Sequence, residues 1–152
     1  MEAQIRRARP DEAETLTALM RRSKAFWGYS EEFMRLVHDQ MKITVQQIEN
    51  ALAVCVLEQD ERPLGFYHLK DKEGLCWMED LFIEPDAMGK GYGKLLFDHA
   101  LQLAQASGYP EMQWESDPNA EDFYLKMGAN RIGAKPSLIE GRVLPQMRIM
   151  LK

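Results

Sequence analysis

Cysteine is scarce: Cys55 and Cys76 are the only two. That excludes the disulfide framework that holds small secreted domains together, and both read as small buried hydrophobes in a reducing compartment. The three histidines, His38, His68 and His99, have no metal-ligand spacing, so no metal is expected. Long apolar runs are absent. The longest, Ala51 to Leu57, falls far short of the ~20 residues of a membrane helix. The opening Met1-Glu2-Ala3-Gln4 lacks the apolar stretch of a signal peptide, which points to the cytoplasm. Positive charge is also in short supply, with 19 Lys and Arg against 24 Asp and Glu and a net charge of −5. That disfavours nonspecific nucleic-acid binding and favours a cationic partner.

What is present is an ordinary globular composition, 45% hydrophobic and 28% charged over 152 residues. It predicts one domain, residues 1–152, large enough to build its own core. A strand is expected at Gln4–Ala8. Arg9-Pro10-Asp11-Glu12 opens a helix, because proline at the first helical position costs no hydrogen bond and the acids suit the positive end of the helix dipole. Ala13, Leu16 and Met20 form its apolar stripe. A second helix runs from Ser30, a good N-cap, towards Gln40, after the aromatic loop Ala25-Phe26-Trp27-Gly28-Tyr29.

From residue 51 the pattern changes to strands: Ala51–Gln59, Leu64–Lys70 and Leu75–Ile83, separated by the tight turns Asp60–Pro63 and Asp71–Gly74. This is an antiparallel meander. A helix follows from about Gly91 to Ser107, with Leu96, Ala100 and Leu103 inward and Gly108 as its stop. Then come a strand at Met112–Glu115, a helix at Ala120–Met127 and two last strands at Asn130–Lys135 and Leu144–Leu151. The order β-α-α-β-β-β-α-β-α-β-β predicts an α/β fold, a mixed and mostly antiparallel sheet of about seven strands with about four helices on its faces.

The most informative stretch is Met88-Gly89-Lys90-Gly91-Tyr92-Gly93-Lys94, between a strand and a helix start. Glycine there permits positive φ and close backbone approach. The free amides of the helix N-terminus, with Lys90 and Lys94 beside them, suit a phosphate. A Walker A loop is excluded, since Gly93-Lys94 is followed by Leu95 and its first glycine would fall on Met88. A dinucleotide fingerprint would need glycine at Lys94 and a parallel βαβ unit instead of a meander.

Here the sequence resembles the GNAT superfamily of N-acetyltransferases, which carries Arg/Gln-x-x-Gly-x-Gly/Ala after its fourth strand. Residues 88–93 match at both glycines, with Met88 in place of Arg or Gln. Glu79-Asp80-Leu81-Phe82-Ile83-Glu84-Pro85 is similar to the family's strand-to-loop sequence. Asn119-Ala120-Glu121-Asp122-Phe123-Tyr124-Leu125-Lys126-Met127-Gly128-Ala129 is similar to its second block. The resemblance implies acetyl-CoA as cosubstrate. The backbone of Leu81, Phe82 and Ile83 would pair with the pantetheine arm. The turn Met88, Gly89, Lys90, Gly91, Tyr92, Gly93 and Lys94 would hold the pyrophosphate, and Asn119 would touch the cofactor from the fifth strand. Loss of the polar residue at Met88 implies weaker affinity, since backbone amides carry most of that binding.

Acetyl transfer to an amine needs a base, an oxyanion donor and a proton for the thiolate. Strand alternation places Trp77, Glu79, Leu81 and Ile83 on one face and Met78, Asp80 and Phe82 on the other. The family's base stands at the positions of Trp77 or Glu79, and Trp77 cannot accept a proton, so Glu79 is the expected base, directly or through water. The Glu79-Asp80 pair is also similar to one in spermidine/spermine acetyltransferases. Asp80 reads as structural. Tyr124 matches the family's tyrosine near the cofactor sulfur and is the expected acid, while an amide near Phe82 or Ile83 would polarise the thioester. Neither cysteine has an adjacent base, so direct attack in a ternary complex is expected instead of a covalent enzyme. The acceptor would lie among Phe26, Trp27, Tyr29 and the segment 137–145, with aromatics suiting a cation. Arg142 reads as solvated.

The expected activity is therefore acetyl-CoA-dependent acetylation of a primary amine on a small molecule or peptide. Its rivals are acetylation of a protein lysine or N-terminus and a noncatalytic acyl-CoA-binding regulatory module, which would keep the glycine turn and lose Glu79 and Tyr124. A homodimer is compatible with such a domain.

Overall fold

Apolar residues at strand spacing fill the middle of the chain. The computed structural model, which describes residues 2–137 and 142–152, gathers them into one sheet of seven strands. These are β1 (Gln4–Arg7), β2 (Ala53–Gln59), β3 (Arg62–Lys72), β4 (Leu75–Ile83), β5 (Glu111–Glu115), β6 (Asn130–Pro136) and β7 (Val143–Met150). The spatial order is β1-β2-β3-β4-β5-β7-β6. Every pairing is antiparallel except β4 with β5. The helices among the described residues are α1 (Ala13–Ala25), α2 (Glu31–Val37), α3 (Val45–Asn50), α4 (Tyr92–Ala106) and α5 (Glu121–Lys126).

The two faces of the sheet bury different helices. Leu96, Phe97 and Ala100 of α4 pack with Tyr67, Leu69 and Trp114 on one face. Leu16, Leu19 and Met20 of α1 and Phe33 of α2 pack with Val56 and Phe66 on the other. β2 is buried on both faces, which explains its unbroken apolar run.

Several expected boundaries move. Arg9–Glu12 supplies a short 3-10 turn before α1 begins at Ala13. The helix capped by Ser30, whose Oγ accepts from the Phe33 amide at 3.1 Å, ends at Val37 and not near Gln40. α3 was not expected. It begins in a capping box, in which Thr44 Oγ1 accepts from the Gln47 amide and Gln47 Oε1 accepts from the Thr44 amide. The β2–β3 turn is tighter than expected, because Asp60 and Glu61 both adopt positive φ and Arg62 already pairs with Gln59.

One correction bears directly on the site. His68 faces Asp80 and Leu69 faces Met78, so Glu79 is an extra residue on β4, a β-bulge. Alternation therefore breaks there. Cys76 and Met78 belong to the α4-side core, and so do Leu81 and Ile83, whereas Phe82 packs on the α1 side. Trp77 and Glu79 do not share a face with Leu81 and Ile83, as uninterrupted alternation would require. Lys70, which faces Trp77 in the ladder, holds the Glu79 carboxylate.

Candidate active site

β4 and β5 are paired only at Cys76–Met112 and Trp77–Gln113. Beyond Trp77 the two strands part, leaving the β4 edge from Met78 to Ile83 without a strand partner on that side. A cavity of about 610 Å³ fills the gap. Its lining runs from Met88 and Gly93 along Leu81, Phe82 and Ile83 to Glu79, Asp80, Trp114 and Tyr124.

At one end lies the glycine turn. Gly89 and Gly91 have φ of +80° and +81°, and a Cβ built at either would meet nothing within 4 Å, so the ground above the turn is open. Gly91 caps α4, and the Leu95 amide makes the first helical bond, to the Gly91 carbonyl at 3.2 Å. The amides ahead of Leu95 therefore have no helical partner. Unpartnered amides at a helix N-terminus suit an anion. Asn119 does not lie on the fifth strand as expected: it sits in a 3-10 turn, Pro118–Ala120, after β5 ends. Its Nδ2 donates to Tyr29 Oη and Asp117 Oδ1, both at 3.0 Å.

At the other end stand the acids. Glu79 Oε2 is 2.9 Å from Lys70 Nζ, and both side chains are about 40% exposed. Asp80 is largely covered and stands against the buried His68, with Nδ1 3.3 Å from Oδ2, and desolvation pushes its carboxyl above the usual range. Tyr124 is wedged between Phe97, Trp114 and Phe123, with the Trp114 ring 4.9 Å away, and burial raises its phenol well above 10. The structure thus brings Glu79, Tyr124, Leu81–Ile83, Met88, Gly93 and Asn119 onto one cavity. Of the expected turn only Met88 and Gly93 line the cavity; Gly89, Lys90, Gly91, Tyr92 and Lys94 do not.

Of the three aromatics expected at the acceptor, Trp27 lines the cavity and Phe26 does not. The two stack edge to face at 5.5 Å, and both are exposed. Tyr29 is committed to a polar network that sequence reasoning missed. Its hydroxyl donates to Asp117 at 2.8 Å and accepts from Arg142 Nη2 at 2.5 Å, and Lys24 Nζ binds the same carboxylate. Burial, then Asp117, pushes Tyr29 up to about 12. Burial opposes ionisation of Asp117, but Lys24, the Asn119 amide and Tyr29 outweigh it and hold the carboxyl below its usual range. Arg142 is therefore not solvated: it bridges Asp117, Tyr29 and Ser137 Oγ. Of the expected acceptor segment, residues 138–141 lie outside the described residues. Asp117-Pro118 was the visible clue, an aspartate placed to cap the turn that proline begins.

The cysteines are free and buried, and burial raises both thiols, Cys76 to about 11. Among the described residues no group of His, Cys, Asp and Glu could hold a metal ion, and no helix is long and apolar enough to cross a membrane.

A mixed sheet that parts between two parallel strands, with a glycine-led helix N-terminus beside the gap, is an arrangement the chain shares with solved N-acetyltransferases. The family model described as Acetyltransferase (GNAT) family matches residues 14–129, and the chain belongs to that family and is an acyltransferase. It is 36% identical over 152 residues to a curated peptidyl-lysine N-acetyltransferase YjaB of Salmonella typhimurium, covering 96% of each chain. It is also 36% identical over 129 residues to the protein of that name from Escherichia coli, covering 82% of this chain and 80% of that one. Among solved structures, PaiA N-acetyltransferase from Thermoplasma acidophilum in complex with coenzyme A aligns with a TM-score of 0.78 at 22% identity over 99% of both chains. The apo-form YjaB solution structure from Escherichia coli aligns with a TM-score of 0.69 at 29% identity, covering 97% of this chain and 96% of that one.

Proposed function

We propose that this protein transfers an acetyl group from acetyl-CoA to a primary amine, the ε-amine of a lysine in a peptide or protein. The observation that carries the reading is one cleft lined by the unpaired β4 edge, Glu79, Tyr124 and, from the glycine turn, Met88 and Gly93. The names of the full-length relatives support lysine as the acceptor. So does the form of the site. An extended alkylammonium side chain can enter an open cleft whose far end presents carboxylates and the exposed indole of Trp27.

In this reading the amides ahead of Leu95 bind the pyrophosphate, with Lys90 and Lys94 adding charge. The β4 edge from Leu81 to Ile83 pairs with the pantetheine arm as an added strand would. Acetyl-CoA supplies the activated acyl group. Glu79 takes a proton from the ammonium, which in free solution is lost only near pH ~10.4. The neutral amine then attacks while Tyr124 gives its proton to the departing sulfur. A noncatalytic acyl-CoA sensor is disfavoured because both proton-handling side chains line the same cavity.

The test is acetyl-CoA turnover on a panel of lysine peptides, free polyamines and peptide N-termini, followed by thiol release and across pH. Lysine peptides should lead the panel. In Glu79→Gln the rate should fall most near neutral pH and least where the amine is already free. Preference for a polyamine would move the acceptor class. A pH profile unaltered in Glu79→Gln would remove Glu79 from the reaction.

A further inference from the structure

Resting on that reading, we propose that Lys70 is itself an acceptor, a site of intramolecular acetylation at the mouth of the cleft. Any incoming lysine must bring its ammonium to Glu79. The chain already places one there, since Lys70 Nζ stands 2.9 Å from Glu79 Oε2. Lys70 faces Trp77 in the β3–β4 ladder, and Trp77 is the last residue of β4 that pairs with β5. Its ammonium therefore lies where the two strands part. In chemical terms it is the same primary alkyl amine as the proposed substrate.

The other cavity lysines are engaged differently. Lys24 is buried in the Asp117 network. Lys72 stacks over the Trp77 ring at 4.4 Å, and Lys135 pairs with Glu115 at 3.4 Å. Lys70 alone among them holds the proposed base. The pair is partly exposed, and ion pairs that water can reach are weak, so the amine can leave Glu79 and return readily. Tethering adds the usual advantage of an intramolecular nucleophile, which needs no separate binding step.

The step balances without another reactant. The Lys70 ammonium passes one proton to Glu79 and on to solvent. Its nitrogen bonds to the acetyl carbon as the C–S bond breaks. The remaining extra proton goes, through the cleft, to the sulfur, so that CoA leaves as the free thiol and Lys70 as a neutral amide. The modification removes the Lys70–Glu79 ion pair.

The experiment incubates the full-length protein with acetyl-CoA and maps acetyl groups by mass spectrometry over time and over a wide range of protein concentration. Wild type, Lys70→Arg and Glu79→Gln are compared, each also assayed on a lysine peptide. Lys70 should be acetylated ahead of the other lysines at a rate independent of protein concentration. That rate should fall by about 10²-fold in Glu79→Gln, as for loss of a general base. The proposal is overturned if the Lys70 rate falls on dilution, or if Lys70 reacts no faster than exposed lysines and equally in Glu79→Gln. It is also overturned if Lys70 stays unmodified while the peptide is turned over, an outcome that leaves the transferase reading intact. If neither peptide nor Lys70 takes acetyl and acetyl-CoA gives no thermal protection, reading and proposal fall together.

Discussion

Arg22 and Glu84 are joined by two hydrogen bonds, Nε to Oε1 at 2.9 Å and Nη2 to Oε2 at 2.6 Å. Glu84 follows β4 and caps the 3-10 turn Pro85–Ala87 that precedes the glycines, and its amide also donates to the Leu64 carbonyl at 2.8 Å. The pair thus ties the end of α1 to the segment that leads from β4 towards the glycine turn. Glu84 is buried and Arg22 is half exposed, so water competes with the ion pair. Glu84→Gln should cost on the order of 1 kcal/mol, or a Tm loss of about 2–4 °C. If the pair positions the turn, affinity for acetyl-CoA should fall as well. Calorimetry of unfolding and of binding measures both, and unchanged affinity would confine the pair to stability.

Gly91→Val tests the turn more directly. A side chain at φ +81° is strained whatever space surrounds it, and here the space is open. The fold should therefore survive with a penalty of about 1–2 kcal/mol. The new side chain would project over the ground a pyrophosphate needs. Acetyl-CoA should no longer raise the Tm, as binding to the native state alone otherwise must. Retained protection would place the cosubstrate elsewhere.

The Asp117 network makes a prediction about acid. Asp117 is held below the ordinary carboxyl range, so its stabilising contribution is fully present above the unfolded value of ~3.9 and is lost as pH falls through the folded one. Asp117→Asn leaves Lys24 and Arg142 facing each other without a counter-charge. The cost should be about 3 kcal/mol near neutral pH, since breaking a buried pair strands a charge. The difference in Tm between wild type and variant should be constant at pH 5–8 and narrow below ~4. A difference independent of pH would mean that hydrogen bonding, and not charge, holds the network.

Local signals were sufficient for most of the fold. The apolar run of β2, the two tight turns of the meander and the glycines around α4 each have a short-range cause, and each was legible. What escaped depends on register or on distant partners. Nothing local marks Glu79 as a bulge. It becomes one because His68 and Leu69 pair around it. Likewise Lys24, Asp117 and Arg142 come from the end of α1, the end of β5 and the start of β7, and only the closed sheet brings them together. The capping box at Thr44–Gln47 is a local signal, but the six-residue helix it starts is too short to show a periodicity.

Tyr124→Phe separates chemistry from packing. The hydroxyl makes no hydrogen bond to another described residue, and the ring is held by Phe97, Trp114 and Phe123, so the variant should fold as wild type does. If the hydroxyl supplies the sulfur's proton, kcat should fall by about 10²-fold with acetyl-CoA affinity nearly kept. Steady-state kinetics on a lysine peptide measures this, and a wild-type kcat would assign Tyr124 to the core alone.

The kinetic order follows from the cysteines. A covalent acetyl-enzyme would need a thiolate beside a base and within reach of the thioester. Cys55 and Cys76 are both fully buried, and burial raises their thiols, Cys76 to about 11, so neither is ionised at neutral pH. Cys76 lies on β4 before the strands part, and Cys55 lies two strands further away on β2. Both substrates should therefore bind before either product leaves, and double-reciprocal plots at several acceptor concentrations should intersect. The combined Cys55→Ala and Cys76→Ala variant should lose stability by roughly 1–2 kcal/mol per site, as small core truncations do. It should keep its turnover at a temperature where it is folded. Parallel lines, or an acetylated cysteine trapped when acceptor is withheld, would replace direct transfer with a two-step mechanism.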